Sequence, residues 1–77
     1  MLLSDFIKEL KHKSLWVDII DIKPDDVEKE VFTDTVGVLL NNVPYLNTYS
    51  KYGVSHIVPQ YTYDMKPMMF IYIHEVE

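Results

Sequence analysis

Met68-Met69-Phe70-Ile71-Tyr72-Ile73-His74 is the stretch that decides the fold. Six apolar or aromatic residues, bracketed by Pro67 and Glu75, are far short of the roughly 20 that a membrane helix requires. They match one buried strand, and the β-branched and aromatic side chains favour a pleated surface. Alternation puts Met69, Ile71 and Ile73 on one face and Met68, Phe70 and Tyr72 on the other. With both faces apolar, the strand is expected inside a sheet, covered by a helix on one side and by loops or a partner on the other.

Leu15 to Ile22 gives the second strand. Val17, Ile19, Ile20 and Ile22 are β-branched, and Trp16 adds aromatic weight. Leu15, Val17 and Ile19 share one face; Trp16, Asp18, Ile20 and Ile22 share a mixed one that implies partial exposure. Upstream, Ser4 serves as an N-cap, Asp5 sits in the first turn, and Leu3, Phe6, Ile7 and Leu10 form an apolar stripe. Lys11, His12 and Lys13 suit a helix C-terminus, so the pattern predicts a helix over residues 4–13.

Lys23-Pro24-Asp25-Asp26 predicts a turn. The run Val27 to Thr33 reads either as a strand or as a short helix capped by Asp25 or Asp26, with Val31, Phe32 and Thr33 favouring the strand. Another strand is expected over Val36 to Leu40, either separate or continuous with the first through a kink at Asp34 or Gly37. Tyr45 to Tyr52, with Asn47, Thr48 and Ser50 among its aromatics, reads as a loop ending at Gly53. Val54 to Val58 is a strand closed by Pro59, and Gln60 to Lys66 connects it to the last one. The expected architecture is a single α+β domain over residues 1–77, one N-terminal helix packed on an antiparallel sheet of about four strands.

Bulk composition narrows the function. The 77 residues include no cysteine, so neither a disulfide framework nor a thiolate zinc site is available. No apolar run reaches membrane length, and Met1-Leu2-Leu3 leads straight into Asp5 and Lys8 without a signal-peptide pattern, so a cytoplasmic protein is expected. All seven basic residues are lysine, which removes bidentate recognition of phosphate by arginine. The net charge of −5 is concentrated. Residues 18–34 alone carry −5, with Asp18, Asp21, Asp25, Asp26, Glu28, Glu30 and Asp34 against Lys23 and Lys29; Glu75 and Glu77 make the C-terminal tip acidic. Direct nucleic-acid binding, which needs a basic footprint, is disfavoured.

No constellation for catalysis stands out, and no cofactor is expected. With only Gly37 and Gly53, phosphate-loop and dinucleotide patterns are absent. Ser55 and His56 are strand neighbours expected to point to opposite faces, which separates a nucleophile from its base. A two-histidine metal site from His56 and His74 lacks any ligand spacing; edge histidines are the simpler reading. Asp25 and Asp26 read as a solvated turn. Tyr45, Tyr49, Tyr52, Tyr61 and Tyr63 either form a binding surface or roof a small core. The acidic side chains Asp18, Asp21, Asp25, Asp26, Glu28 and Glu30 either solvate a hairpin or dock a basic groove of a protein partner. The alternative is a non-catalytic structural or accessory protein that works as a homo-oligomer, a homodimer in the simplest case, through its tyrosine loops, an exposed sheet edge or its apolar strand faces.

The opening Met1-Leu2-Leu3-Ser4-Asp5-Phe6-Ile7-Lys8-Glu9-Leu10, followed by Trp16-Val17-Asp18-Ile19-Ile20, resembles the start of small phage and prophage proteins. Some anti-CRISPR proteins share this short Leu/Ile helix flowing into a β-meander, together with an acidic surface. The resemblance spans about the first 22 residues. It implies an interaction protein or inhibitor with no active site of its own, and it transfers no functional residue.

Overall fold

The computed structural model describes residues 1–49 and 51–76; Ser50 of the tyrosine-rich stretch and Glu77 of the acidic tip lie outside them. In chain order the elements are α1 (Leu3–Glu9), β1 (Trp16–Ile22), β2 (Glu28–Thr35), α2 (Val36–Asn41), α3 (Val43–Tyr49), β3 (Gly53–Tyr61) and β4 (Pro67–His74). The fold is α+β, with an N-terminal helix and one four-stranded sheet in the order β2-β1-β4-β3. The outer pairs, β1–β2 and β3–β4, are antiparallel, while the central β1–β4 pair is parallel. The sheet is therefore mixed. Two hairpins lie side by side, and α2 and α3 carry the chain from one to the other, the kind of long connection that parallel neighbours require.

Both hairpins turn in the same way. Lys23 N donates to Val27 O at 2.9 Å and Thr62 N donates to Lys66 O at 2.7 Å, each closing a three-residue loop. Asp26 (φ 64°) and Met65 (φ 65°) supply the left-handed residue of each turn. Aspartate tolerates that region; methionine has no side-chain hydrogen bond to offset it.

The helices differ from the sequence expectation for local reasons. α1 is capped by Leu2 with no side-chain bond and ends at Glu9, so Ser4 is inside it, and Lys11, His12 and Lys13 lie beyond it. The chain start is held instead by backbone: Leu3 N donates to Tyr52 O at 2.7 Å and Val54 N to Met1 O at 2.8 Å. Val36 to Leu40, expected as a strand, is helical. The Thr35 side chain accepts from Val38 N at 3.3 Å, and Val36 and Leu39, three apart, are buried together. Tyr45 to Tyr49, expected as loop, belongs to α3. Asn42 Oδ1 accepts from Tyr45 N at 3.2 Å, and Pro44 stands in the first turn, where its missing N–H costs nothing.

The core lies between the helices and one sheet face. Leu3 and Ile7 of α1, Val36 and Leu39 of α2, Val17 and Ile19 of β1, and Ile71 and Ile73 of β4 are all buried. Tyr45, Leu46 and Tyr49 of α3 pack against that cluster. As expected, β4 is an internal strand. All three helices draw their core contacts from the same side of the sheet.

Candidate functional site

Among the described residues, no helix covers the other side of the sheet. Register assigns its side chains: Trp16, Asp18, Ile20 and Ile22 from β1 lie beside Met68, Phe70 and Tyr72 from β4. His56, Val58 and Gln60 of β3 oppose Tyr72, Phe70 and Met68. Thr33, Glu30 and Glu28 of β2 oppose Asp18, Ile20 and Ile22. Trp16, Ile20, Ile22, Phe70 and Tyr72 stand outside the core cluster of the described residues. This face is thus an apolar and aromatic strip, bordered by glutamates along one edge strand and by His56 and Gln60 along the other. His56 stacks on Tyr72, ring centroids 4.2 Å apart.

Asp18 sits in the middle of the strip. It is only 6% exposed, and its Oδ1 is buried with no hydrogen-bond partner among the described residues. Burial raises its carboxyl to about 6, and hydrogen bonding with Glu30 and the Glu30 charge add to the rise; a bond from Thr33 opposes it. Glu30 is held below the ordinary glutamate range, first by its hydrogen bond with Asp18 and then by Thr33. The pair shares one proton under mild acid, with Asp18 holding it. Above about pH 6 both carboxylates are charged.

The acidic residues of the 18–34 segment do not form one surface. Asp21, 2% exposed, is on the helix side and pairs with Lys23 Nζ at 2.8 Å. Asp25 and Asp26 are exposed in the β1–β2 turn, where Asp25 Oδ1 accepts from Val27 N at 3.3 Å. Glu28 and Glu30 are exposed on the edge strand β2 and share the helix-free face with Asp18.

The tyrosines divide as sharply. Phe32, Tyr45, Tyr49 and Tyr52 form a chain of ring contacts at 5.2, 4.8 and 4.9 Å over the core. Burial, then Tyr49 and Asp21, hold the Tyr45 hydroxyl well above its ordinary range. These three tyrosines roof the core. Tyr61, 68% exposed, and Tyr63, fully exposed, project from the β3–β4 hairpin.

Two smaller readings concern the histidines. A bulge between Val54 and His56 breaks the strand alternation, so Ser55 Oγ comes within 3.1 Å of His56 Nδ1 rather than pointing away. The pair is exposed, and the His56 ring is held by its stacking on Tyr72. His74 opposes Gly53 and His56 opposes Tyr72, so the two histidines are not cross-strand partners. No group of three or more His, Cys, Asp or Glu among the described residues is placed to hold a metal ion. No described helix is long and apolar enough to cross a membrane.

No protein-family model matches the chain, and no curated protein or solved structure shows a significant similarity to it. Function is therefore argued from the surface itself.

Proposed function

We propose that this chain is a small acidic protein–protein interaction module that docks a basic surface of a protein partner through the helix-free face of its sheet. The observation that carries this reading is the one-sided placement of the helices, which leaves Trp16, Ile20, Phe70 and Tyr72 in a contiguous strip bordered by Glu28 and Glu30. Exposed apolar patches rimmed by polar groups mark interaction sites, and carboxylates at the rim select a cationic counterpart. The opening resemblance to phage and prophage proteins fits an inhibitor made by a phage or mobile element. A host protein that handles nucleic acid offers the basic surface such an inhibitor needs.

A second copy of the chain is the poorer occupant of this face. Stacking two copies centred on the strip would bring Asp18 of one against Asp18 of the other, and buried unpaired charges are strongly unfavourable.

The test is comparative capture of partners from a host lysate with three baits: the parent chain, Glu28→Lys with Glu30→Lys, and Val58→Lys with Tyr72→Lys. A genuine partner is retained by the parent, lost by both double variants, and released from the parent as salt rises. Capture that survives lysines at positions 58 and 72, in protein shown to be folded by its amide spectrum, would remove the sheet face from the reading. A parent that sediments as a dimer, with a dimer broken by the same lysines, would assign the face to self-association instead.

A further inference from the structure

The geometry points to a more specific feature, which rests on that docking reading: Asp18 and Glu30, together with Thr33 and the rings of Phe70 and Trp16, form a receptor for one arginine side chain of the partner.

Four observations converge on it. First, Asp18 Oδ1 is an acceptor without a donor, more than nine-tenths buried, on the helix-free face. Such an atom is strongly penalised unless a donor reaches it. Second, the register places another carboxylate, Glu30, on the neighbouring strand and the same face, opposite Ile20 and diagonal to Asp18, and its charge adds to the rise of the Asp18 carboxyl. Third, none of the chain's own cations serves the pair. The ion pairs of the described residues are Lys23–Asp21 and Lys66–Asp64, and the chain contains no arginine at all. Fourth, its neighbours on the sheet face are aromatic: Phe70 is the register partner of Asp18, and Trp16 lies two residues before it on the same strand.

That chemistry fits guanidinium better than the other cations. A guanidinium is planar, stacks on aromatic faces, and is weakly hydrated, so it loses little on entering an apolar strip. Its fork of donors reaches two carboxylates at once. An ammonium is more strongly hydrated and presents a point charge. A divalent metal takes six or more oxygens, and no described cluster supplies them. Glu30, exposed on the edge strand, is the member of the pair able to swing out and admit the group.

Protonation follows from the same arrangement. An incoming cation displaces the proton held by Asp18, so affinity is greatest above about pH 6 and falls as the pH drops below it. The ionisable groups on this face are Glu30 and Glu28 on β2, Tyr72 and His74 on β4, and His56 on β3, which stacks on Tyr72; β1 contributes only Trp16, Ile20 and Ile22 besides Asp18. No helix of the described residues packs on this side.

The experiment titrates the intact chain with N-acetylarginine methylamide, N-acetyllysine methylamide and N-acetylcitrulline methylamide, following the Asp18 carboxyl carbon and the Trp16 indole N–H by NMR. The arginine probe is expected to move both signals and to bind about tenfold tighter than citrulline, its uncharged isostere. Lysine is expected to fall between them. Asp18→Asn and Glu30→Gln should each erase the arginine–citrulline gap; Glu30 is exposed, so its variant tests the pair without disturbing the fold. Following the Asp18 carbon keeps the protonation of His56 and His74 out of the pH measurement. Equal binding of arginine and citrulline overturns the receptor, as does an arginine response confined to Asp25, Asp26 or Glu75. Lysine binding as tightly as arginine overturns the guanidinium assignment. None of these results touches the docking face, which stands or falls with the capture by the variants at Val58 and Tyr72.

Discussion

Ile71→Ala tests whether β4 is the centre of this structure. Ile71 is fully buried, and its register partners are Ile19 on β1 and Ile57 on β3. Its cluster includes Leu3 and Ile7 of α1 and Val36 and Leu39 of α2, so atoms removed there leave a space walled by both layers. Strand partners fixed by ladders on both sides of β4 cannot collapse into that space. The cost should therefore lie in the upper part of the usual range of about 2–5 kcal/mol for such a truncation, or about 3–4 kcal/mol. A domain of this size has only about 4–12 kcal/mol in total, so the loss is a large share. Urea unfolding followed by the fluorescence of the single tryptophan, Trp16, reads it directly. With a slope near 1 kcal/mol per molar urea, the midpoint should fall by about 3 M with no change of slope. Ile57→Ala on the edge strand is the internal control: Ile57 is 36% exposed, and its truncation should cost about 1 kcal/mol or less. A loss below about 1 kcal/mol at Ile71, or equal losses at the two sites, would refute the placement of the core.

Three further outcomes follow from local features. Asp18 titrates near 6 in the fold against 3.8 in a free chain, so the folded state holds the proton more tightly. Its contribution to stability is complete below pH 3.8 and is lost as pH rises through about 6. Asp18→Asn should therefore gain on the parent above pH 6, by up to about 3 kcal/mol, and lose that advantage in acid; parallel stability–pH curves would refute the assignment. Glu30, held low, contributes in the opposite sense at lower pH. Met65→Gly should raise stability by about 0.5–1 kcal/mol, because glycine adopts φ near 65° without strain; a loss measured by thermal unfolding would mean the turn is built differently. Tyr49→Ala should cost about 2 kcal/mol or more of folding stability, since its ring bridges Tyr45 and Tyr52 over the core. A fully stable Tyr49→Ala variant that loses partner binding would return that tyrosine to the interaction surface.

The two central strands were legible because their side chains leave no other choice. Val17, Ile19 and Ile20 of β1 and Phe70-Ile71-Tyr72-Ile73 of β4 are β-branched or aromatic, and alternation separates the helix-side positions from those on the other face, although Asp18 on that other face is itself buried. Their parallel pairing was not legible, because no local signal records which strands meet after a long connection. α2 was hidden by composition: Val36, Gly37 and Val38 favour strands, yet one hydroxyl at Thr35 and the three-residue spacing of Val36 and Leu39 decide for a helix. In α3 the signal was present in Asn42 and Pro44, a cap and a first-turn proline, but the tyrosines and polar residues around them resembled a loop. The acidic segment was misleading as a unit. Counting its charges ignores that Asp18 and Asp21 are an odd number of residues apart, which sends one to the helix-free face and the other beneath the helices. The centre of the candidate site was thus counted as part of a solvated face.

The position of Asp18 bears on why an uncovered apolar face is compatible with a small acidic protein. A sheet face with Trp16, Phe70 and Tyr72 in line would ordinarily stack on any apolar surface, including its own copy. A carboxyl at the centre of the strip, backed by Glu30, makes that contact unfavourable wherever the opposing surface cannot supply a positive donor. The same pair turns favourable against a surface that supplies one, because a desolvated and well-oriented charge pair gains more than it does in water. On the proposed reading, resistance to self-stacking and partner selection share a single physical origin in two carboxylates on adjacent strands. The lysines of this chain do not serve that origin in cis: among the described residues they pair only with Asp21 and Asp64, and the receptor is left for a cation from outside.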